Sequence, residues 1–515
     1  MRHYRVTAPG LPDINHDRAA NSEAGLRYDA AIIGAGANGL AAAALLARSG
    51  ATTIVIERHD APAPRLAGRV IHPGYRASPY ADEIAPISPS LFRTLGLAQR
   101  GAIMRKAPHS LAIWPECRHL LPFDLASDGL DLLVEWAAFA GRARERALEV
   151  AAPARPKLAS LLHAVAASPW PGVEKLAEAL GDTIGAAIGD PREAAHVAAL
   201  VLTGRTADPW CDGSTAHLLA PAAGFGGVAL GGRFSIVDAL VSAARGAGAE
   251  LVLGVEASEL RRARRGFGIA LSDSRDIEAR CVISTLDLKR SFLALFPWHA
   301  LPKPVLRHAA QFRVAGATAR VLFALERAPE RAAPETLRGP VHIAPALDDF
   351  ARAHAAFREG NLAPRLPLTL RVPSASDPSL APPGGAVITA TFGAVPFRLF
   401  DGAWTRERRD ALRAQAQAAL EMVWPGAGSA ICAAEVVVPG DMEDWLGATH
   451  GDLDGGEIAP DQMLDLRGWG GSPRTPVPGF YLGGGSAAAG PFGTGAAGEA
   501  AAKAVIADLA RVRFP

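Results

Sequence analysis

The segment Gly34-Ala35-Gly36-Ala37-Asn38-Gly39 has a glycine spacing that could hold a pyrophosphate. An apolar run at residues 28–33 predicts a buried strand before it, and the Ala/Leu-rich residues 40–49 predict a helix after it. In that context Gly34 permits a tight turn, Gly36 lets the backbone approach a phosphate, and Gly39 lets the helix pack on the strand. The free N–H groups and positive dipole end of the helix favour the bound anion.

Glu57 follows a second predicted strand, residues 52–56, and lies 23 residues after Gly34. Dinucleotide-binding folds place an acidic residue about 20 residues after the glycine motif. The Glu57 carboxylate can accept hydrogen bonds from the ribose hydroxyls of an adenosine and would repel a 2′-phosphate. Strand, turn, helix, strand and acid occur in order, so the residues predict a dinucleotide site. The motif alone leaves FAD and NAD open, since both contain ADP.

Composition excludes several other classes of function. The 515 residues carry a formal net charge of +1, so no strong field favours nucleic acid. The cysteines form no Cys-x-x-Cys pair and no Cys/His cluster, which argues against disulfide-reductase chemistry and predicts no metal site; they are Cys117, Cys211, Cys281 and Cys432. Neither a signal peptide nor a run of about 20 apolar residues is present, which predicts a cytoplasmic protein and leaves peripheral membrane contact open.

Further segments resemble the phytoene-dehydrogenase-like branch of the FAD superfamily, which also contains carotenoid desaturases and flavin amine oxidases. The resemblance runs through residues 28–57, 231–260, 281–287, 449–451, 461–462 and 475–485. It implies FAD as the cofactor and an α/β fold, in which a Rossmann-like FAD-binding domain is interleaved with an α+β substrate domain. Residues 28–98, 224–292 and 440–515 would form the discontinuous FAD-binding domain, residues 99–223 and 293–439 the substrate domain, and residues 1–27 a flexible tail.

The resemblance also implies which residues contact FAD. A strand at residues 479–482 would deliver the chain to the flavin, and the turn Thr494-Gly495-Ala496 would precede a helix at residues 499–512 whose N-terminus faces the isoalloxazine. The expected FAD-binding residues are Gly34, Gly36, Ala37, Asn38, Gly39, Glu57, Arg58, Arg65, Ala257, Thr285, Gly484, Gly485, Thr494, Gly495 and Ala496.

Two loops depart from the family pattern. Ala63-Pro64 replaces a Gly-Gly pair that approaches the pyrophosphate, although Arg65 stands where many members have an arginine near phosphate. In the C-terminal turn, Ala488-Ala489-Gly490-Pro491-Phe492 replaces His-Pro-Gly-Gly-Gly. The chemistry next to the flavin is therefore expected to differ from the family norm.

The expected reaction is hydride transfer between a substrate C–H bond and flavin N5, for which the cofactor supplies the chemistry. His450 is the best single candidate for an acid or base, because an ordinary histidine titrates near neutral pH. The other candidates are polar or aromatic residues in loops, for which bonding to backbone or solvent is the commoner role; they are Ser78, Tyr80, Glu457, Asp461, Arg467 and Trp469.

Four functions remain open from the sequence. A dehydrogenase or desaturase would act on an apolar, unsaturated or isoprenoid-like substrate, to which the apolar middle of the chain is suited. A flavin amine oxidase would need an aromatic pair, for which Trp445 and Trp469 are available. A flavin-dependent isomerase and a non-catalytic binding protein are the others. With one GxGxxG, no separate NAD(P)H domain is expected, so electrons would leave to oxygen or a quinone. The sequence leaves the oligomeric state open.

Overall fold

The computed structural model describes residues 27–64, 68–82, 87–106, 111–113, 120–122, 178–218, 227–230, 232–329, 337–343, 346–463, 467–490 and 494–511. The strands in these ranges are β1 (Arg27–Ile33), β2 (Thr53–Glu57), β3 (Arg69–His72), β4 (Tyr75–Ala77), β5 (Ile103–Lys106), β6 (Leu111–Ile113), β7 (Leu120–Pro122), β8 (Gly227–Leu230), β9 (Glu250–Leu253), β10 (Ala257–Ala263), β11 (Gly266–Leu271), β12 (Asp276–Ser284), β13 (Ala319–Leu325), β14 (Val341–Ile343), β15 (Leu368–Arg371), β16 (Ala386–Phe392), β17 (Ile431–Val437) and β18 (Phe480–Leu482).

Eleven α-helices lie in the same ranges. They are α1 (Ala37–Arg48), α2 (Pro89–Thr94), α3 (Leu180–Ala187), α4 (Pro191–Leu202), α5 (Gly232–Gly246), α6 (Lys303–Gln311), α7 (Leu347–Arg358), α8 (Pro373–Ser376), α9 (Arg406–Val423), α10 (Pro439–Leu446) and α11 (Ala496–Arg511). Among the described residues, no helix combines the length and apolar character needed to span a bilayer.

The first sheet has the strand order β10-β11-β12-β1-β2-β9, with β18 also paired to β12. Strand β1 runs parallel to β12 and to β2, and β2 runs parallel to β9. The long strand β12 pairs antiparallel with β11 near its start and parallel with β18 near its end, where Ile283 lies opposite Tyr481. The C-terminal part of the chain therefore supplies a strand to the sheet that begins at Arg27. These parallel strands confirm the predicted α/β class.

Helices α1, α5 and α11 pack together beside this sheet. Small residues make the close packing possible, because a Cβ built on Gly498 of α11 would lie 1.9 Å from the backbone oxygen of Asn38 in α1. Helix α1 begins at Ala37, three residues before the predicted start. Its N-cap, Gly36, has no side chain to form a capping hydrogen bond, so the sequence carries no cap signal there.

The second sheet has the order β17-β13-β16-β15-β14-β6-β7 and is antiparallel except where β14 pairs with β6. Strand β13 is buried along its whole length, and α9 packs against the same apolar core. Helices α3 and α4 belong to a separate apolar cluster that also includes the start of α11. Arg27 belongs to β1 rather than to the predicted tail, and residues 1–26 lie outside the described ranges. The boundaries of the two domains stay a prediction.

Candidate functional site

A cavity of about 390 Å³ lies at the carboxyl ends of β1, β2 and β12, where parallel α/β sheets bind ligands. Gly34 follows β1, Arg58 follows β2 and Thr285 follows β12, and all three line the cavity. Further lining residues come from two later parts of the chain: Leu446, Gly447, Ala448, Leu453, Asp454 and Gly455, and then Gly485, Gly490, Thr494 and Gly495. The cavity thus joins segments that are far apart in sequence.

The turn at residues 34–39, hereafter the N-terminal turn, contains three glycines, and a side chain would be excluded or tolerated at each for a different structural reason. Gly34 has φ +98°, and a Cβ there would lie 2.2 Å from Thr285 Oγ1. A Cβ on Gly39 would lie 2.0 Å from the Gly34 oxygen, whereas one on Gly36 would meet no atom within 4 Å. Gly36 therefore leaves the open space that an approaching phosphate needs at the start of α1. Ala37 and Asn38 also line the cavity.

Glu57, at the end of β2, is only 5% exposed but contributes to the cavity wall. Its Oε2 accepts a hydrogen bond from the Ala35 N–H at 2.8 Å, and its Oε1 accepts one from the His59 N–H at 3.0 Å. Each carboxylate oxygen has a second lone pair, which leaves acceptor capacity for ribose hydroxyls. Ala257, at the start of β10, lines the cavity on the same side.

Three arginines, Arg58, Arg205 and Arg290, line the cavity. Arg58 donates to the Trp445 carbonyl at 2.7 Å, and Arg290 pairs with Glu256 at 3.5 Å. Arg205 donates from Nε to Asp454 at 3.2 Å and also lines the wall. Arg65 lies outside the described residues. The described arginines suit a pyrophosphate, because a guanidinium can donate two parallel hydrogen bonds to phosphate oxygens.

The loop that replaces the family's Gly-Gly pair closes on the N-terminal turn. The Ala63 N–H donates to the Ala35 oxygen at 2.8 Å, and Ala63 has φ +49°. This left-handed conformation costs alanine more than glycine. Ala63 and Pro64 both line the cavity, so the departure from the family pattern changes the wall without opening it.

The C-terminal end of the cavity is lined by Gly485, Gly490, Thr494 and Gly495. Gly495 has φ +82° and directly precedes α11, which begins at Ala496, so the helix N-terminus adjoins the cavity. In the described part of the chain, Gly39, Gly484 and Ala496 are not among the lining residues. A Cβ on Gly484 would lie 2.3 Å from the Thr285 oxygen, and Ala496 is fully buried, so both serve packing behind the wall.

The two candidates for catalysis lie away from the described wall of this cavity. His450 is exposed, and its ring stacks on Phe397 with the ring centroids 4.9 Å apart. Its backbone N–H donates to the Glu443 carboxylate at 2.8 Å. Tyr80 lines a neighbouring pocket of about 580 Å³ that shares Arg58 with the cavity. Ser78 is buried, and its Oγ accepts from the Tyr80 N–H at 3.2 Å.

The candidates before β18 form a structural network. Arg467 is fully buried and donates to backbone oxygens at distances of 2.8–3.3 Å; these belong to Asp454, Gly456, Glu457, Gln462 and Gly485. Burial lowers the pKa of Arg467 to about 10. Glu457 and Asp461 both pair with Arg313, and Trp469 packs against Phe292 and His308. These contacts hold the loop that precedes Gly485.

Arg205 and Asp454 line the cavity but were not anticipated from the sequence, and neither was buried His217, which feels the charges of both. The Asp454 side chain is 40% accessible and lines the cavity. Burial opposes ionisation, but the Arg205 guanidinium outweighs it and lowers the pKa of Asp454. His217 is buried with no partner for Nδ1 among the described residues, and burial followed by the charge of Arg205 lowers its pKa to about 3. No motif marks these residues, because they meet only in the fold.

The residues present fit a dinucleotide that has an ADP part at one end and an aromatic ring system at the other. Open space at Gly36, acceptor capacity at Glu57 and arginines in the cavity wall suit ADP, and the cavity continues to the start of α11. Within the described ranges, no cluster of His, Cys, Asp and Glu could hold a metal ion. The cavity is therefore suited to an organic cofactor that extends from β2 to α11.

Comparison with known proteins gives consistent results. Residues 29–431 match the family described as FAD dependent oxidoreductase. The mouse pyridine nucleotide-disulfide oxidoreductase domain-containing protein 2 is 25% identical over 562 aligned residues, which cover 95% of each chain. The rat protein of that name is also 25% identical and covers 94% of each chain.

Solved structures extend the similarity to the fold. A putrescine oxidase variant has a TM-score of 0.60 at 15% identity, covering 94% of this chain and 99% of its own. Cyclohexylamine oxidase from Brevibacterium oxydans has a TM-score of 0.58 at 14% identity, covering 94% of this chain and 100% of its own. At these identities the similarity establishes a common fold.

Proposed function

Because the chain belongs to the FAD-dependent oxidoreductase family, we propose that it is a phytoene-dehydrogenase-like enzyme that removes hydride from an apolar substrate. The substrate class is unsaturated or isoprenoid-like. One observation carries this choice: the wall behind the C-terminal end of the cavity is apolar. Ala489, Ala496 and Ala500 belong to one buried cluster with side chains of α3 and α4, such as Ile184 and Val197.

FAD supplies the hydride acceptor when it is bound. The chain's own residues hold it: Glu57 would accept from the ribose, and the backbone at Gly36 with Arg58 would hold the pyrophosphate. The N-terminus of α11, next to Gly495, adds a positive dipole end that favours negative charge at that end of the cavity. Burial by the apolar cluster would exclude water from the substrate side.

Amine oxidation is the second candidate, because putrescine oxidase and cyclohexylamine oxidase share the fold. It requires an aromatic pair near the cofactor. Trp445 lies under the Arg69 guanidinium at 3.8 Å, while Trp469 packs with Phe292, and neither is among the described residues that line the cavity. The described contacts therefore favour the dehydrogenase.

Disulfide exchange, which the names of the mouse and rat relatives suggest, has less support. The sequence has no Cys-x-x-Cys pair. Cys281 is buried in β12, and burial raises the pKa of its thiol to about 12. A thiol of that kind is a poor nucleophile at neutral pH.

The test begins with the visible spectrum of the purified protein, where bound flavin absorbs near about 370 and 450 nm. The loaded protein is then mixed without oxygen with an isoprenoid polyene or with an alkylamine. We expect the polyene to bleach the 450 nm band, and oxygen or a quinone to restore it. Colourless protein that takes up no added FAD would contradict the cofactor assignment, and bleaching by the amine alone would favour the oxidase.

A further inference from the structure

Trp298 and Phe400 are the most exposed large aromatic side chains of the described residues, each with 83% accessibility. Trp298 lies between β12 and α6, five residues after Leu293, which is 44% exposed. Buried neighbours fix this segment: Phe292 and Phe296 stack at 6.2 Å, and both pack edge-on against Phe480. The tryptophan is thus held outward on a rigid base.

Every charged residue along the chain around Trp298 is basic. Residues 288–325 contain no Asp or Glu, and Lys303 and Arg307 lie exposed on α6. On the same helix Val305 and Ala309 face the core. The exposed side of α6 is therefore cationic.

A second basic element contacts the same segment. The Leu260 N–H of β10 donates to the Leu295 oxygen at 2.7 Å, and Phe267 of β11 packs against Phe296 at 6.4 Å. The hairpin formed by β10 and β11 turns at Arg264 and Arg265, which are exposed. These contacts bring the arginine-bearing end of the hairpin beside the segment of Trp298.

Two of the acidic groups near this hairpin are engaged in salt bridges, while exposed Asp276 of β12 lies near Arg261 rather than at the turn. Glu259 pairs with Arg261, and Glu256 pairs with Arg290. Arg264, Arg265, Lys303 and Arg307 form no salt bridge with another described residue. Their charge is therefore available to an external anionic partner.

We propose that this Trp298 surface, formed by Leu293, Trp298, Lys303, Arg307, Arg264 and Arg265, docks on an anionic phospholipid bilayer. Tryptophan prefers the interface between headgroups and acyl chains, where its ring is apolar and its N–H stays wet. Neighbouring lysines and arginines are attracted to anionic lipid headgroups. An exposed apolar anchor and free cations on one surface combine the two signals that peripheral binding needs. The inference does not depend on the proposed substrate.

The experiment uses the full-length, FAD-loaded protein in sedimentation with vesicles of phosphatidylcholine, alone or with phosphatidylserine added. We expect binding to the phosphatidylserine vesicles that weakens as salt is raised. Trp298→Ala should weaken it about tenfold or more, and the double change Arg264→Glu and Arg265→Glu should do the same. Phe400→Ala is the matched control, since Phe400 is also 83% exposed.

Failure of the wild-type protein to bind these vesicles overturns the proposal, as does an equal loss with Phe400→Ala. Sedimentation velocity without lipid measures whether the protein associates with itself, and so tests whether a second copy rather than a bilayer covers the surface. If the wild-type protein associates with itself and Trp298→Ala makes it monomeric while vesicle binding is absent, the surface is a contact between copies. FAD content and circular dichroism of each variant establish that it is folded.

Discussion

At the N-terminal turn a Cβ on Gly36 would meet no atom within 4 Å, whereas at the C-terminal end a Cβ on Gly490 would lie 2.2 Å from the Gly485 oxygen. Gly484 is equally confined, by the backbone of Thr285. Both ends line or support one cavity and both are rich in glycine. At the first end the missing side chain leaves room for a ligand, and at the second it lets backbone segments touch.

The comparison separates two effects that a glycine substitution can have. A side chain at Gly36 should obstruct the ligand and leave the empty protein intact. Side chains at the confined glycines should disturb the fold itself, with loss of the cofactor as a consequence. A substitution at Gly495 should have both effects. Gly495 lines the cavity, it has φ +82°, and a Cβ there would lie 2.9 Å from Leu91 Cδ2.

The largest effect is expected from Gly498→Val in α11. Its Cβ would lie 1.9 Å from the Asn38 oxygen, so α1 and α11 must separate, at a cost of about 3 kcal/mol or more. The thermal midpoint of the apo protein should fall steeply. Gly185→Ala is the control, because Gly185 lies in α3 with open space around it and should tolerate the change. An unchanged midpoint in Gly498→Val would contradict the close helix crossing.

Acid should next destabilise the fold through buried His217. Its folded pKa, lowered to about 3 by burial and then by Arg205, lies below the ordinary value of 6.5, so the unfolded chain binds the extra proton. The contribution of His217 to the free energy of unfolding is complete above pH 6.5. It is lost as the pH falls from 6.5 towards 3, by about 2–4 kcal/mol.

The measurement is urea unfolding of the protein between pH 7 and pH 4. His217→Gln should reduce the dependence on pH, since it removes one titrating group; the buried His196 and His342, whose pKa values burial also lowers, should retain the rest. His299→Gln, at an exposed position, should leave the dependence unchanged. Equal slopes for all three proteins would mean that His217 is not the acid-sensitive group.

Gly36→Val should weaken FAD binding about 100-fold, equivalent to about 2.7 kcal/mol, with the apo thermal midpoint retained. Gly36 has φ −68°, which valine adopts without strain, so only the ligand should be affected. Fluorescence titration of apo protein with FAD measures the change. Gly268→Val on β11, also in open space, is the control. Unaltered affinity in Gly36→Val would place the phosphate elsewhere.

Glu57→Gln should have the smallest effect, about a tenfold loss of FAD affinity. The amide keeps the shape but loses the charge, and it cannot accept from both the Ala35 and His59 N–H groups. A small fall in apo stability should accompany the loss. Glu278→Gln, on the outer part of β12, should change neither quantity. A normal affinity in Glu57→Gln would exclude Glu57 from the ribose.

The sequence predicted the elements whose signals are local. Strands β1 and β2 lie within one residue of the bounds predicted for them, and the N-terminal turn joins a strand to a helix as expected. A buried apolar run followed by glycines is a pattern within one short segment, so it can be recognised from the sequence. Helix starts were less accurate, since Gly36 gives no cap signal. Arg205, Asp454 and His217 could not be predicted, because only tertiary packing brings them together. The choice of His450 rested on the chemistry of histidine in general, and its side chain lies exposed on Phe397.

The pairing of β12 with β18 has a consequence for synthesis of the protein. Strand β1 leaves the ribosome early, but the strand that completes the edge of β12 and the helix that packs on α1 are made last. At about 5–20 residues per second, the interval between them is on the order of tens of seconds. During that time the edge of β12 stays unpaired and the cofactor site lacks one end, so nascent or truncated chains should depend on chaperones and carry no FAD.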